Sequence, residues 1–295
     1  MPELPDIVAY VDALERHVAG HELTAIRLTS PFLVRSVDPP ISALVGQPVE
    51  GIERIGKRIV LAFAGDLFLV IHLMIAGRLR WRLPGGKAPG RAALATFEFP
   101  HGWLCFTEAG TKRRASLTVV RGRETLAGIN RGGLEVLQTT RAAFANRLKR
   151  ENHTLKRSLT DPRLFSGIGN AYSDEILHDA RLSPLLTTAR MSEEQIDTLF
   201  ASTTRVLAAW IARLRAETGA GFPETVTAFR EGMAVHGRYG KPCPVCSAPV
   251  QRIRYADNET NYCARCQTAG RLLADRSLSR LLKGDWPRSI DELDG

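Results

Sequence analysis

The sequence is poor in the features that mark membrane, secreted and repeat proteins. It has five cysteines in 295 residues, no apolar stretch long enough to span a bilayer and no internal repeat. No secretory signal precedes the chain, so we expect a reducing, cytosolic setting in which disulfides are rare. The 44% hydrophobic content suffices for the cores of one large or two ordinary globular domains.

Acidic residues are also scarce relative to basic ones. Lys and Arg number 40 against 31 Asp and Glu, which gives a formal net charge of +9. This excess favours a polyanionic partner, most simply nucleic acid, although many proteins without such a partner are mildly basic. Basic residues cluster in or beside predicted loops, where they can neutralise phosphates and release counterions. The clusters are Lys112–Arg114, Arg121 with Arg123, and Arg147 with Lys149 and Arg150.

Four of the five cysteines have the spacing of a metal site. Cys243, Cys246, Cys263 and Cys266 form two C-x2-C pairs with sixteen residues between them, which is typical of a four-thiolate zinc site. Disulfides and a redox dithiol are the alternatives, but the reducing setting and the lack of a βαβ context disfavour them. Since protein ligands fill all four positions, we expect one structural Zn²⁺ that folds its module. Cys105 lies in an apolar run and is expected to be a small core residue.

The start of the chain has a catalytic pattern. Removal of Met1 would leave Pro2 with a secondary amine directly beside the Glu3 carboxylate. Such an amine can attack an aldehyde and form a cationic imine, and the carboxylate can shuttle protons. An α-amino group has a pKa of roughly 7.7–8.0, so a neutral fraction exists near pH 7. Proline at this position is also common without catalysis, because methionine removal favours small second residues.

Hydrophobic periodicity divides the chain into a β-rich half and a helical half. Apolar residues at steps of three and four predict a helix over 4–18, and short apolar runs with Gly and Pro between them predict a sandwich or barrel. The glycine-rich stretch 128–133 is the boundary, after which the pattern becomes helical. The predicted strands are 23–28, 49–55, 59–63, 67–73, 79–81, 94–99, 103–107 and 117–120, and the predicted helices are 140–148, 172–180 and 193–216.

A glycine pair precedes one of these helices. Gly167 and Gly169 permit a tight turn, and Asn170 then begins a helix whose N-terminal N–H groups favour an anion such as phosphate. Most such pairs are only turns. Between two amphipathic helices of a basic protein, this one indicates a helix–two-turn–helix DNA clamp.

Five motifs in a fixed order carry a family resemblance. They are Pro2–Pro5, Gly56–Arg58, His72–Gly77, Gly167–Tyr172 and the four cysteines. Together they closely resemble the formamidopyrimidine-DNA glycosylase and endonuclease VIII family of base-excision repair enzymes, over residues 1–267.

The resemblance implies a multidomain α+β fold: an N-terminal β-sandwich with an N-terminal helix, a helix–two-turn–helix domain and a zinc hairpin. We expect a catalytic domain at 1–122, a linker at 123–139, a helical domain at 140–236, a zinc finger at 237–267 and a tail at 268–295. The implied partner is damaged double-stranded DNA, with no membrane partner. We expect a monomeric, cytoplasmic, nucleoid-associated bacterial protein.

The implied activity is excision of a damaged base followed by strand cleavage at the abasic sugar. Pro2 would form the Schiff base at C1′, Glu3 would act as general acid and base, and Lys57 would contact the sugar or a flanking phosphate. The remaining implied site residues contact DNA or lie beside those that do: His72, Met74, Ile75, Arg91, Arg113, Lys156, Asn170, Glu175 and Asn258. The alternative is a damaged-DNA-binding protein of the same fold with weak or no activity.

The sequence departs from the family pattern at several of these positions. Ile75 occupies the position of the family's wedge methionine, with Met74 one step earlier, so the wedge is altered. The basic loop around Arg113 replaces the family's other intercalating loop, and Arg91 stands roughly where a DNA-contacting His is expected. Asn258 replaces the hairpin Arg credited with δ-elimination, which predicts that β-elimination dominates. The segment 229–236 is short, which argues against 8-oxoguanine as the preferred base.

Overall fold

The computed structural model describes residues 1–86, 90, 92–109, 113–255, 258–274 and 287–293. The chain forms two compact units. One comprises Met1–Arg131 with Trp210–Thr227, and the other comprises Gly132–Ala209 with Ala228–Gly295. In the described part of the chain, every helix is too short or too polar to cross a bilayer.

The first helix, α1 (Leu4–Val18), anchors the start of the chain to the core of the first unit. Glu3 is its N-cap and forms a capping box with Asp6, whose carboxylate accepts the Glu3 main-chain N–H at 2.9 Å. A proline in the first turn suits a position where no helical N–H partner exists. Of the apolar face predicted from the sequence, Ile7, Leu14 and Val18 are fully buried and Val11 is partly buried, while Tyr10 is a further buried residue of this helix.

Two four-stranded antiparallel sheets follow α1 in the first unit. The first sheet has the order β1 (Ala25–Leu28), β6 (Ala93–Phe99), β7 (Gly102–Glu108) and β5 (Gly77–Arg82). The second has the order β2 (Val49–Ile55), β3 (Arg58–Phe63), β4 (Leu67–His72) and β8 (Ser116–Arg121). In its centre Leu61 pairs with Leu69, and at one end Arg58 pairs with His72.

The side chains of β3 point alternately to the two faces of the second sheet, and both faces are buried. Ile59, Leu61 and Phe63 join the main core, which also contains side chains of the first sheet and of α1. Val60 and Ala62 point to the opposite face and join a second cluster that includes Leu126 of α2 (Arg123–Ala127). A strand with two buried faces needs a continuous apolar run, which is what the sequence has here.

The second unit is helical and also contains a hairpin with four cysteines. Its first helices, α3 (Arg141–Leu148) and α4 (Leu155–Thr160), are capped by the hydroxyls of Thr140 and Thr154. The remaining elements are α5 (Asn170–Asp179), α6 (Glu193–Thr218), β9 (Gln251–Arg254), β10 (Glu259–Tyr262) and α7 (Ala264–Thr268). The division between the units falls within α6, after Ala209.

The predicted fold class is confirmed: a β-sandwich with an N-terminal helix, a helical region and a four-cysteine hairpin. All eight predicted strands lie where expected, with ends that differ by up to two residues. Cys105 is buried as predicted, and burial raises the pKa of its thiol to about 11. The predicted domain boundaries stay a prediction.

Truncation of a central core side chain should measure how far the sandwich depends on this packing. Leu69 lies in the middle of β4 with no exposed surface, whereas Leu83 follows β5 and is 67% exposed. We expect Leu69→Ala to lower the free energy of unfolding by about 2–5 kcal/mol, and the matched Leu83→Ala control to change it by less than about 0.5 kcal/mol. Urea denaturation compares the two. Equal effects would contradict the packing described here.

Candidate catalytic and nucleic-acid-binding site

The start of the chain lies in a partly buried, charged environment. Pro2 and Glu3 are both buried. Burial lowers the pKa of the Met1 amine from its ordinary value of 8.0; the charges of Arg78 and Lys57 lower it further, while Glu3 and Asp6 oppose the shift. The amine therefore has carboxylates and cations within electrostatic range. An amine here keeps more of its neutral, nucleophilic form at pH 7 than an exposed one.

Lys57 belongs to a group of cations at one end of the second sheet. It lies with Gly56 in the tight turn between β2 and β3, and Gly56 adopts the positive φ of +60° that this turn needs. Next to it, Arg58 is half-buried, and burial together with the charge of Arg131 lowers the pKa of its guanidinium. Burial, aided by Arg58, Lys57 and Arg131, lowers the pKa of His72 to about 4. The imidazole is therefore neutral beside three cations, an arrangement that suits an anionic ligand.

The turn after β4 presents Ile75 to solvent. Ile75 is 63% exposed, whereas Met74 is half-buried and adopts a left-handed backbone with φ +53°. A Cβ on Gly77 would lie 2.2 Å from the Leu73 carbonyl oxygen, so only glycine fits there. Arg78 fixes the turn by donating to the carbonyl oxygens of Ile75 at 3.1 Å and Gly77 at 2.7 Å. Of the two residues weighed from the sequence, Ile75 has the exposed side chain.

Arg113 lies in an exposed basic segment that a buried carboxylate holds in place. Glu108, at the end of β7, accepts the main-chain N–H of Arg114 at 3.0 Å and of Ala115 at 3.2 Å. The Glu108 side chain is buried, while Arg113 and Arg114 are exposed. Arg91 lies outside the described residues, and so does Lys112 of the same basic cluster.

In the second unit, Lys156 and Asn170 are brought together at the start of α5. Lys156 Nζ donates to the Asn170 carbonyl oxygen at 2.7 Å and to Asp174 Oδ1 at 2.5 Å. Asn170 Nδ2 donates to the Glu259 carbonyl oxygen at 3.0 Å, which connects the turn to the zinc hairpin. The N-terminus of α5 and a cation thus lie side by side. The ion pair with Asp174 also gives Lys156 a structural role that the sequence did not reveal.

Glu175, predicted among the DNA-binding residues, is bonded within the second unit. It is buried, and its carboxylate accepts main-chain N–H groups of Ala234 at 2.6 Å and of Val235 and His236 at 2.9 Å. Burial raises its pKa, and these hydrogen bonds oppose the shift. Both oxygens are engaged within the unit. Any effect of Glu175 on DNA would therefore act through the segment 234–236.

The neighbouring Asp174 organises a buried polar network that was not foreseen. Besides the Lys156 ion pair, its carboxylate bonds His236 Nδ1 at 2.8 Å and the Asn261 main-chain N–H at 3.2 Å. Asn261 Oδ1 in turn accepts the Gly237 N–H at 2.8 Å. The sequence does hold one signal for this network: Asp174 and Glu175 are consecutive acids on an otherwise buried helix, and buried carboxylates need hydrogen-bonding partners.

The four cysteines of the hairpin form a site that fits zinc. Their sulfur atoms all lie within 4.8 Å of one another, with Cys246 and Cys263 at 3.3 Å and Cys243 and Cys266 at 3.9 Å. Zn–S bonds of about 2.3 Å in a tetrahedron place sulfurs about 3.8 Å apart. In the hairpin turn, Asn258 is exposed and its carbonyl oxygen accepts the Tyr255 N–H at 2.7 Å.

Comparison with known proteins agrees with this geometry. Three family models match in order: the formamidopyrimidine-DNA glycosylase N-terminal domain over residues 1–115, its H2TH domain over 133–219, and the zinc finger found in FPG and IleRS over 240–269. The matched zinc finger and the four close sulfurs identify one structural zinc.

Curated relatives and solved structures extend the match over most of the chain. Formamidopyrimidine-DNA glycosylase of Desulforamulus reducens is 31% identical over 91% of this chain and 100% of its own length. An uncharacterized formamidopyrimidine-DNA glycosylase-like protein of Mycobacterium tuberculosis is 40% identical over 51% of this chain and 94% of its own.

The fold is shared with Lactococcus lactis Fpg in complex with DNA that contains an abasic site. The TM-score is 0.79 at 23% identity, over 90% of this chain and 99% of the other. The family-model matches and the 31% identity to the D. reducens enzyme over 91% of this chain place the chain in the formamidopyrimidine-DNA glycosylase family, the zinc-containing DNA glycosylases of base-excision repair.

Proposed function

We propose that the protein is a bifunctional DNA glycosylase and abasic-site lyase that uses the Pro2 amine as its nucleophile once Met1 is removed. The observation that carries the proposal is that Pro2 and Glu3 are both buried at the start of α1, where the charges of Arg78 and Lys57 reach the chain start. The substrate class is damaged duplex DNA, bound by a monomer in the cytoplasm at the nucleoid. Lactococcus lactis Fpg structures with abasic-site DNA and with Fapy-dG DNA support this substrate class.

The reaction begins at the sugar of the damaged nucleotide. The Pro2 nitrogen attacks C1′, the bond from C1′ to the base breaks, and the base leaves with a proton from a general acid. The bound Pro2 nitrogen then loses its own proton, and its lone pair expels the ring oxygen, which takes a proton as the sugar opens; this leaves an iminium between Pro2 and C1′. Glu3 is the group in position to give and take these protons, since its main chain is fixed by the capping box with Asp6.

Strand cleavage follows from the positive charge of the iminium. Loss of a proton from C2′ sends its electron pair toward the iminium, and the 3′ phosphate leaves by β-elimination. Hydrolysis of the imine then frees Pro2 and releases the unsaturated aldehyde on the cleaved strand. The first attack needs a neutral amine, and the later steps need a nearby proton carrier. None of these steps needs an open metal site.

The cation group at the end of the second sheet is proposed to hold the strand beside the reacting sugar. Lys57, Arg58 and Arg131 lie close enough for their charges to lower the pKa of His72. A phosphate would relieve this mutual repulsion, and neutral His72 can donate a hydrogen bond to it. Arg113 of the basic loop, and Lys156 and Asn170 at the start of α5, are proposed to bind further phosphates. Affinity should therefore fall steeply with salt.

Ile75 is proposed as the wedge that replaces the extruded nucleotide in the base stack. Removing a base from a duplex costs a few kcal/mol, and an inserted apolar side chain offsets part of this cost. The exposed Ile75 on a turn fixed by Arg78 suits this role better than half-buried Met74.

Covalent trapping tests the nucleophile. Borohydride should link the processed protein to abasic DNA, and Pro2→Gly should reduce trapping about tenfold or more, because the ring-fixed secondary amine is lost. Pro40→Gly, at an exposed proline, is the matched control. Glu3→Gln should slow excision of a damaged base about 10²-fold or more but slow trapping on abasic DNA, which has no base to lose, much less.

The pH dependence of trapping has a defined direction. The attacking form is the neutral amine, so the rate should rise with pH to a plateau. Burial lowers the pKa of the Met1 amine, and we expect the Pro2 amine left by Met1 removal to meet the same environment, so the midpoint should lie below the pKa of a free prolyl peptide. A processed, zinc-loaded protein that neither nicks abasic DNA nor becomes trapped would be a binding protein, and the proposal would be wrong.

The wedge is tested by truncation. Ile75→Ala should lower kcat/KM on a paired duplex by about tenfold, because burial of the Ile75 side chain would no longer stabilise the transition state by about 1.5 kcal/mol. The effect should be small on single-stranded substrate, where no stack is disrupted. Val37→Ala, at a side chain that is 90% exposed, is the control. An equal loss on both substrates would argue against a wedge role.

Asn258 is proposed to make β-elimination the main route, because a neutral amide does not offer the charge of the Arg that it replaces. Gel analysis of cleaved abasic DNA should show mainly 3′ unsaturated aldehyde ends. Asn258→Arg should increase the fraction of 3′-phosphate ends, and the neutral Asn258→Gln should leave it unchanged. Mainly 3′-phosphate ends from the wild-type protein would contradict this assignment.

A further inference from the structure

We propose that His178 is a positioning residue of the zinc site, which donates a hydrogen bond from Nε2 to the Cys243 thiolate and thereby ties α5 to the zinc module. His178 lies in the last turn of α5 and is 6% exposed. Its Nε2 is 3.2 Å from Cys243 Sγ. Cys243 is also buried, so water cannot readily replace this donor.

The charge of a four-thiolate site explains why a donor is needed there. Four thiolates around Zn²⁺ leave two negative charges in excess, and hydrogen bonds from outside the coordination sphere stabilise them. Cys263 Sγ accepts the Cys266 main-chain N–H at 3.5 Å, and Cys246 accepts that of Ala248. These two donors belong to the zinc module itself. The donor to Cys243 is a side chain of the helix–two-turn–helix region.

The Cys243 thiolate favours the tautomer of the His178 imidazole that has its proton on Nε2. With a proton on Nε2, the ring donates to sulfur; without it, a nitrogen lone pair would face the filled orbitals of the thiolate. His178 is an outer partner and not a fifth ligand, since the four sulfurs alone satisfy the tetrahedral geometry of a structural zinc.

This contact makes α5 a bridge between the zinc site and the predicted phosphate contacts. Asp174 and His178 are four residues apart, so they lie on one face of the helix. Asp174 bonds Lys156 and Asn261, while His178 bonds Cys243. Asn170, at the other end of α5, bonds the hairpin through Glu259. Zinc occupancy and the position of the α5 N-terminus should therefore be coupled.

Two substitutions in the full-length zinc-loaded protein distinguish the effect of the His178 hydrogen bond on the zinc site from the effect of its ring packing. His178→Phe keeps an aromatic ring of similar volume without the donor, and His178→Gln keeps an N–H donor. His153→Phe, at a half-buried histidine that contacts Glu151, is the matched control. The measurements are the rate of zinc transfer to a chromophoric chelator and the sulfur-to-cobalt charge-transfer band after Co²⁺ substitution.

We expect His178→Phe to speed zinc transfer about tenfold or more and to move the charge-transfer band to lower energy, because the thiolate becomes more electron-rich. His178→Gln should recover most of both effects, and His153→Phe should change neither. Wild-type transfer rates and an unshifted band in His178→Phe would overturn the proposal.

A measurement on the wild-type protein keeps the test independent of variant folding. In protein loaded with cadmium-113 and labelled with nitrogen-15 histidine, the hydrogen bond predicts that His178 carries its proton on Nε2. It also predicts a scalar coupling between that proton and the metal through sulfur. A proton on Nδ1 alone, with no coupling to cadmium, would overturn the proposal.

Discussion

The proposed chemistry requires the start of the chain, usually the most mobile part of a protein, to be held still. The first helix does this. Its apolar face is buried in the main core of the sandwich, and the capping box between Glu3 and Asp6 fixes the residue that follows Pro2, the proposed nucleophile. Burial at the chain start also lowers the pKa of the Met1 amine. In the proposed mechanism, the packing that stabilises the fold would also tune the Pro2 nucleophile.

Charge is arranged in two different ways in the two units. In the first, Lys57, Arg58 and Arg131 approach one another beside a neutral His72, which leaves a local excess of positive charge. In the second, buried acids of α5 hold cations and main-chain amides: Asp174 pairs with Lys156, and Glu175 accepts three N–H groups. The first arrangement suits an incoming anion. The second stabilises the scaffold that presents the α5 N-terminus.

Much of the fold and the metal site could be predicted from local patterns. The period of 3.6 in α1, the short apolar runs of the strands and the two C-x2-C pairs can each be identified within one short segment of sequence. The helices α2 and α4 were not predicted, because five and six residues are too few to show a helical period. Ile75 is exposed next to Met74, whose left-handed backbone the sequence alone did not indicate.

The parts that could not be predicted depend on contacts between distant residues. The carboxylate of Glu175 reaches amides about 60 residues away, and His178 meets Cys243 across 65 residues. The approach of Arg131 to Arg58 and His72 likewise arises only on folding. The sequence motifs identified the residue types for the chemistry, while the residues that support them became evident only in three dimensions.

The central claim is that the mature amino terminus itself attacks the sugar. Its most direct test is mass-spectrometric sequencing of the peptide that carries the deoxyribose remnant after borohydride reduction of the complex with abasic DNA. The account predicts that Met1 is absent and that the added mass lies on the Pro2 nitrogen. A remnant on a lysine side chain such as Lys57, with Pro2 unmodified, would contradict it.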